Sequence, residues 1–156
     1  TGLWLKNGCV AGSAQEAWFR ADLAAAATNN IIVAWHKPRF SSAGSNAHMQ
    51  ALWQAAYEGG VDIVLSGHTH NYERFAPLNG AGTVAAATGM RAFVVGTGGA
   101  SSHTFGTTVT GSEVRKTGVL GVLKLTLHAG SYDWQFLPVS GQTFVESGTQ
   151  AVHGRP

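Results

Sequence analysis

The sequence predicts an α/β protein whose first part alternates helices with strands and whose last part is an antiparallel β-meander. Near the start, two amphipathic segments alternate with two short apolar runs, and three strand-like segments follow over residues 118–127, 131–138 and 143–146. Apolar side chains recurring every three or four residues indicate helices, whereas a period of two indicates strands. With 156 residues, the chain is long enough for one domain with a core of its own.

The first helix is predicted over about residues 14–28. Ser13 and Glu16 match a capping box, in which the serine accepts from the amide three residues on and the glutamate reaches back. Apolar side chains follow at helical spacing at Trp18, Phe19, Leu23 and Ala26. Asn29 and Asn30 are expected to end the helix.

Two strands and a second helix follow. The apolar runs at 31–35 and 61–66 are typical of buried strands, and the helix between them is predicted over about 47–58. Two glycines supply its C-cap, and one of its faces is apolar at Met49, Leu52, Trp53 and Ala56.

The second part of the chain reads mainly as strands and loops. Residues 71–90 are predicted to be irregular with short strands, 91–95 to form a strand, and 100–117 to form a mobile loop. The meander strands are predicted over residues 118–127, 131–138 and 143–146, with a tight turn at Ala129-Gly130.

Histidines stand where both apolar strands end. His36 follows the first strand, and His68 and His70 follow the second. In an extended chain, residues i and i+2 point the same way and lie roughly 6–7 Å apart, which suits one metal ion or two ions about 3.5–4 Å apart. Imidazole nitrogens suit zinc and iron, and the carboxyl ends of parallel strands are where such sheets bind ligands. A metal site is therefore predicted there.

The segments AWHKPRFSS and VLSGHTHNYERF resemble the calcineurin-like metallophosphoesterases, and more closely their purple acid phosphatase-like branch in secreted bacterial proteins. Further similarity extends over almost the whole chain through GSAQEAWFRADL, RAFVVGTGGA, GVLGVLKLTL and FVESGTQ. The resemblance implies part of an α-β-β-α sandwich, with residues 1–156 as one domain that supplies one sheet layer and one helical layer. The family's N-terminal blocks, Asp-x-His, Gly-Asp-x-x and Gly-Asn-His-Asp/Glu, do not occur, so the chain is expected to be the C-terminal half.

This resemblance implies hydrolysis of phosphate monoesters or diesters at a centre of two metal ions, which would be zinc, iron or manganese. His36 and His68 would bind one ion and His70 the other, and Asn71 and Tyr72 would orient the histidines. The missing bridging carboxylate and asparagine ligand would come from an N-terminal half or a second copy of the chain. The alternative is a non-catalytic half-domain that binds at most a single zinc ion through histidines.

Other candidates concern phosphate binding. In the family a histidine follows the ligand histidine in a Ser-Ser-x-x-His-Gly pattern, and that histidine is absent here. His48 either substitutes for it or is a surface histidine. Arg39 and Arg74 could pair bidentately with a phosphoryl group, or Arg74 could anchor the loop through a carboxylate. The remaining histidines are interpreted as having no role: His103, His128 and His153.

Composition excludes several classes of partner. The net charge is +2 without a basic stripe, so nucleic-acid binding is not expected. The sequence has no run of 18 apolar residues, so a membrane span is not expected. Charged residues are only 12% of the chain, about half the usual share, which fits either a buried interface or the composition of a GC-rich bacterium.

The resemblance implies a secreted or periplasmic protein, although no signal peptide is visible in this chain. Cys9 is the single cysteine. By resemblance it would pair with a cysteine outside these residues, and otherwise it is a free thiol. Without an N-terminal half, strands 31–35 and 61–66 would keep an unpaired neighbour and an apolar face, so the chain is expected to associate with another chain.

Overall fold

The computed structural model describes residues 8–28 and 30–153. Its helices are α1 (Ala14–Ala25) and α2 (Gln50–Glu58), and a 3₁₀ turn, Ala47–Met49, precedes α2. The strands are β1 (Ile32–Trp35), β2 (Ile63–Ser66), β3 (Tyr72–Phe75), β4 (Arg91–Val95), β5 (Ser112–Lys116), β6 (Gly121–Leu127), β7 (Ser131–Pro138) and β8 (Ser147–Ala151). None of the described helices has the length and apolar character needed to cross a membrane.

The strands form two sheets. The five-stranded sheet has the order β1-β2-β4-β3-β5, in which β1, β2 and β4 are parallel and β3 runs antiparallel to both of its neighbours. The three-stranded sheet is the antiparallel meander β6-β7-β8. The predicted mixed α/β fold with a terminal meander is therefore confirmed.

The five-stranded sheet is covered on both faces. Because successive side chains of a strand point to opposite faces, Val64 and Val94 pack with Leu23 and Trp53 of the helices. On the other face a second cluster joins the two sheets through Ile63, Tyr72, Phe93, Val119, Tyr132, Trp134 and Phe136. The chain thus has a helical layer and two sheet layers, where the sequence predicted one sheet layer, because the meander packs as a sheet of its own.

Helix α1 begins as the capping box predicts, but with one difference. Ser13 accepts a hydrogen bond from the Glu16 amide at 3.2 Å, whereas the Glu16 carboxylate accepts from the amide of Gly12 at 2.6 Å rather than from that of Ser13. The helix ends at Ala25, three residues before the predicted end, because the backbone of Ala26 is already extended.

Two strands lie where the sequence did not place them. β5 falls within 100–117, which was predicted as a loop, and it pairs with β3. β8 replaces the strand predicted over 143–146. Both are outer strands with mostly exposed or half-exposed side chains, so an apolar period of two could not reveal them.

The strand predicted over 61–66 also differs from expectation, because β2 pairs with both β1 and β4. Only β1 is an outer strand on that side of the described sheet. Within the described residues, an unpaired edge therefore remains at β1 and not at β2, and what covers that edge stays a prediction.

Candidate active site

The carboxyl ends of β1 and β2 lie side by side. Trp35 is paired in register with Ser66, so His36 and Gly67 leave the sheet together, and the Gly67 amide donates to the His36 carbonyl at 3.1 Å. A groove of about 560 Å³ opens at this end, where the last residues of β1, β2 and β4 and the residues after them meet the start of β6. The predicted position of the histidines at this end of the sheet is therefore observed.

The segment after β2 is bent rather than extended. His68 has φ 63°, in the left-handed region. Among the described residues, it is the only one other than glycine with a positive φ. The amide of Thr69 donates to the Gly67 carbonyl at 2.7 Å, and that of Asn71 donates to the Thr69 carbonyl at 2.8 Å. The 6–7 Å spacing expected of an extended chain therefore does not apply to His68 and His70.

The bend accompanies a close contact between His36 and His68. The Nε2 atom of His36 lies 3.1 Å from the Nδ1 atom of His68, and the rings meet edge to face with centroids 5.0 Å apart. Two nitrogens bound to one tetrahedral zinc ion at 2.0–2.1 Å lie about 3.3 Å apart. The spacing therefore fits two ligands of one ion, and it equally allows one ring to donate a hydrogen bond to the other.

The surroundings of His68 favour its neutral form. Burial lowers the pKa of His68, and the nearby charges of His36 and Lys37 lower it further. Neutral imidazole is the form that binds metal ions. Together with the spacing of the two rings, this makes the pair chemically suited to a metal ion.

His70 faces different partners. Its Nδ1 atom lies 2.8 Å from the Ser101 carbonyl oxygen, and its ring stacks on that of His103 with centroids 4.2 Å apart. Across the described residues, no group of three or more His, Cys, Asp or Glu side chains could hold a metal ion. The structure thus brings two of the three candidate ligands together, and the assignment of all three as ligands stays a prediction.

Of the two residues predicted to orient the histidines, Tyr72 binds another group and the Asn71 side chain has no described hydrogen bond. The Tyr72 hydroxyl donates to Glu146, and Arg74 pairs with Glu146 at 2.8 Å and with Glu113. Arg74 therefore has the carboxylate anchor that was one of its two predicted roles. The Asn71 side chain is 1% exposed, and neither of its amide atoms has a hydrogen-bond partner among the described residues.

His48 and Arg39 have no described hydrogen bond to the histidines. His48 is exposed, and its amide donates to the Asn46 side chain. Arg39 donates from Nε to Gln50 at 2.6 Å, and its guanidinium lies over the Phe40 ring. Burial lowers the pKa of Arg39. Their roles in phosphate binding stay predictions.

Glu73 organises the loop that follows His36, and sequence reasoning missed it. Glu73 is fully buried and accepts hydrogen bonds from the Ser42 amide at 2.8 Å and from the hydroxyls of Ser41, Ser42 and Ser112 at 3.1, 2.5 and 2.7 Å. It thereby ties this loop to β3 and to β5. Two features of the sequence could have indicated this role: the single carboxylate of the short strand β3, and the adjacent serines Ser41 and Ser42.

The loop after β4 lies close to residues 67–71, which follow β2 and are called the histidine segment below. A Cβ atom on Gly96 would lie 2.0 Å from the Thr69 carbonyl oxygen, and the Gly96 amide donates to the Asn71 carbonyl at 3.0 Å. The absence of a side chain at Gly96 therefore allows a close approach of the two backbones.

Comparison with known sequences shows what this part of the chain is similar to. Residues 4–72 match the model of the calcineurin-like phosphoesterases. An acid phosphatase of Aspergillus ficuum is 41% identical over 75 residues, which are 43% of this chain and 12% of the relative. Purple acid phosphatase 18 of Arabidopsis thaliana is 36% identical over 75 residues, 43% of this chain and 17% of the relative. The chain thus spans a small part of the length of these relatives.

Solved structures show the same fold. Purple acid phosphatase PPD1 from yellow lupin seeds has a TM-score of 0.78 and 24% identity, over 91% of this chain and 29% of that protein. GAP50, described as the anchor in the inner membrane complex of Plasmodium, has a TM-score of 0.75 and 17% identity, over 90% of this chain and 43% of that protein. The resemblance of this chain to the calcineurin-like metallophosphoesterases, and to the purple acid phosphatases among them, is thereby confirmed.

Proposed function

We propose that this chain supplies part of the active site of a metal-dependent phosphoric ester hydrolase that acts on phosphate monoesters or diesters. The observation that carries the proposal is the His36–His68 pair, whose ring nitrogens lie 3.1 Å apart at the carboxyl ends of adjacent parallel strands. Similarity to acid phosphatases supports the reaction class. In this proposal residues 1–156 act as one metallophosphoesterase-like unit of a secreted or periplasmic protein.

In the proposed site His36 and His68 hold one ion and His70 presents a ligand toward a second, the ions being zinc, iron or manganese. Metal ions of such a site lower the pKa of bound water and stabilise charge on a phosphoryl group. The protein holds the imidazoles in place and, at His68, favours the neutral form through burial, which lowers the pKa of that ring. Asn71, Tyr72 and the anchored Arg74 support the histidine segment around them.

Part of the proposed metal site lies outside this chain. The family blocks that carry Asp and Asn ligands do not occur in the sequence, so an N-terminal half or a second copy would supply the remaining ligands. The described chain carries one feature suited to receiving another strand, because β1 is an outer strand with an unpaired edge.

Zinc titration by calorimetry tests the histidine pair. The 156-residue chain is expected to bind zinc, and His36→Ala and His68→Ala are each expected to weaken binding at least tenfold, because each removes a ligand. His128→Ala is the matched control, since His128 pairs with Asp133 on the meander. Unchanged zinc affinity in both site variants would contradict the proposal.

One observation favours a second function. Only two candidate ligand rings meet, and no group of three ligands forms among residues 8–28 and 30–153. In that case the chain is a non-catalytic unit that binds a single zinc ion. The two functions differ in stoichiometry and turnover. One zinc per chain, with no hydrolysis of p-nitrophenyl phosphate by the chain joined to its N-terminal half, would favour the second.

A further inference from the structure

A short exposed segment, residues 101–103, contacts both the backbone and the ring of His70. The Ser101 carbonyl lies 2.8 Å from His70 Nδ1, and the His70 amide donates to the Nδ1 atom of His103 at 3.2 Å. The His103 amide in turn donates to the His70 carbonyl at 3.1 Å. The two rings stack with centroids 4.2 Å apart and planes 24° apart.

These contacts determine where the protons of both rings lie. A carbonyl oxygen only accepts, so His70 must carry its proton on Nδ1 to bond Ser101, which leaves the lone pair on Nε2. A backbone amide only donates, so His103 must accept at Nδ1 and carries its proton on Nε2 when neutral. His70 is thus prepared as a ligand through Nε2, whereas this hydrogen bond leaves no free lone pair on the neutral ring of His103.

The segment is itself anchored to the fold. The Thr117 hydroxyl, just after β5, donates to the His103 carbonyl at 2.8 Å. Residues 101–103 therefore connect the histidine segment to the outer strand β5, which pairs with β3. This connection gives the Ser101 carbonyl a defined position although the segment is exposed.

We propose that His103 is a positioning residue: by capping the His70 amide and stacking on its ring, it keeps Ser101 in place and holds His70 with the Nε2 lone pair free for a metal ion. The metal part rests on the proposed function. The tautomer of His70 does not, because it can be measured on the chain without metal. Groups that hydrogen-bond to a ligand histidine fix its tautomer and orientation in this way.

Three substitutions separate the contributions of His103. His103→Asn keeps an acceptor near the position of Nδ1 but removes the ring, His103→Phe keeps a ring without an acceptor, and His103→Ala removes both. His128→Ala serves again as the control. Nitrogen-15 NMR of the metal-free chain reports which nitrogen of His70 is protonated, and the same spectrum with zinc added reports whether His70 Nε2 binds the ion.

We expect wild-type His70 to be protonated on Nδ1, and His103→Ala to convert it to a mixture of the two neutral tautomers. His103→Asn should retain more of the Nδ1 tautomer than His103→Phe, because it keeps the amide cap. An unchanged His70 tautomer in both His103→Ala and His103→Phe would overturn the proposal. Absence of zinc binding by the wild-type chain would count against the proposed function, and the tautomer measurement would still decide the role of His103.

Discussion

At the scale of single residues, Glu73 is unusual because a fully buried carboxylate is held by a backbone amide and three hydroxyls, with no cation among its described hydrogen-bond partners. Glu73→Ala would leave these donors unpaired in the interior. We expect a loss of about 3 kcal/mol or more in the free energy of unfolding, measured by urea denaturation.

Glu73→Gln and Glu58→Ala serve as comparisons for this prediction. Glu73→Gln keeps the volume and one acceptor, so its loss should be smaller than that of Glu73→Ala. Glu58 pairs with Arg20 at the surface, and its removal should cost less than about 1 kcal/mol. Equal losses for Glu73→Ala and Glu58→Ala would show that the hydrogen bonds around Glu73 do not stabilise the loop.

Gly96 offers a second test at this scale. A Cβ atom there would overlap the Thr69 carbonyl, at 2.0 Å, whereas one on Gly98 would meet nothing within 4 Å. Gly96→Ala should therefore destabilise the fold by about 2 kcal/mol, and Gly98→Ala should stay within about 0.5 kcal/mol of wild type. Thermal unfolding of the two variants side by side checks the difference, and similar midpoints would contradict the close approach.

At the scale of elements, Glu146 connects the two sheets. It accepts from Tyr72 and Arg74 of β3 and, at 2.9 Å, from the indole of Trp134 on β7. Burial and this carboxylate both raise the pKa of Tyr72 above its ordinary range. Since Arg74 is largely buried, Glu146→Ala should cost about 3–5 kcal/mol by leaving its charge poorly paired.

Glu113→Ala is the matched comparison for Glu146, because Glu113 also pairs with Arg74 but its side chain is 41% exposed. Its loss should be about 1 kcal/mol. Chemical denaturation followed by tryptophan fluorescence measures both variants, and a larger loss for Glu113→Ala would contradict the role given to Glu146.

The elements also show where sequence reasoning succeeds. β4 has the predicted bounds, 91–95, and α1 begins at its capping box, because local chemistry and an apolar pattern determine both. β5 and β8 have neither signal, since pairing with β3 and β7 creates them. The partners of His70 were missed for a similar reason: His103 is distant in sequence, and only the path of an irregular segment brings the rings together.

At the scale of the whole molecule, β1 is an outer strand of the described five-stranded sheet. An unpaired edge invites pairing with another chain, so we expect the purified chain to self-associate when no other chain is present. Light scattering at high concentration checks this, and a stable monodisperse monomer with the chain mass of 16.3 kDa would contradict it.

The isolated chain is expected to have little phosphatase activity. The chain by itself should hydrolyse p-nitrophenyl phosphate poorly, because catalysis by two metal ions needs a fixed geometry for both and its described residues form no group of three ligands. An N-terminal half of the kind that the proposed function requires should raise the rate, and His68→Ala should abolish the increase. Efficient turnover by the 156-residue chain alone, lost in His68→Ala, would contradict this expectation.

The backbone of His68 has a consequence for how the site relates to the fold. A residue other than glycine in the left-handed region costs of order 1–3 kcal/mol, and asparagine tolerates it better than most. His68, with φ 63°, therefore occupies a turn that asparagine would form more easily. His68→Asn should unfold at an equal or higher urea concentration than wild type while its zinc affinity falls. A sequence optimised for folding alone would carry a different residue here, and the ligand role proposed for His68 accounts for a histidine at this turn.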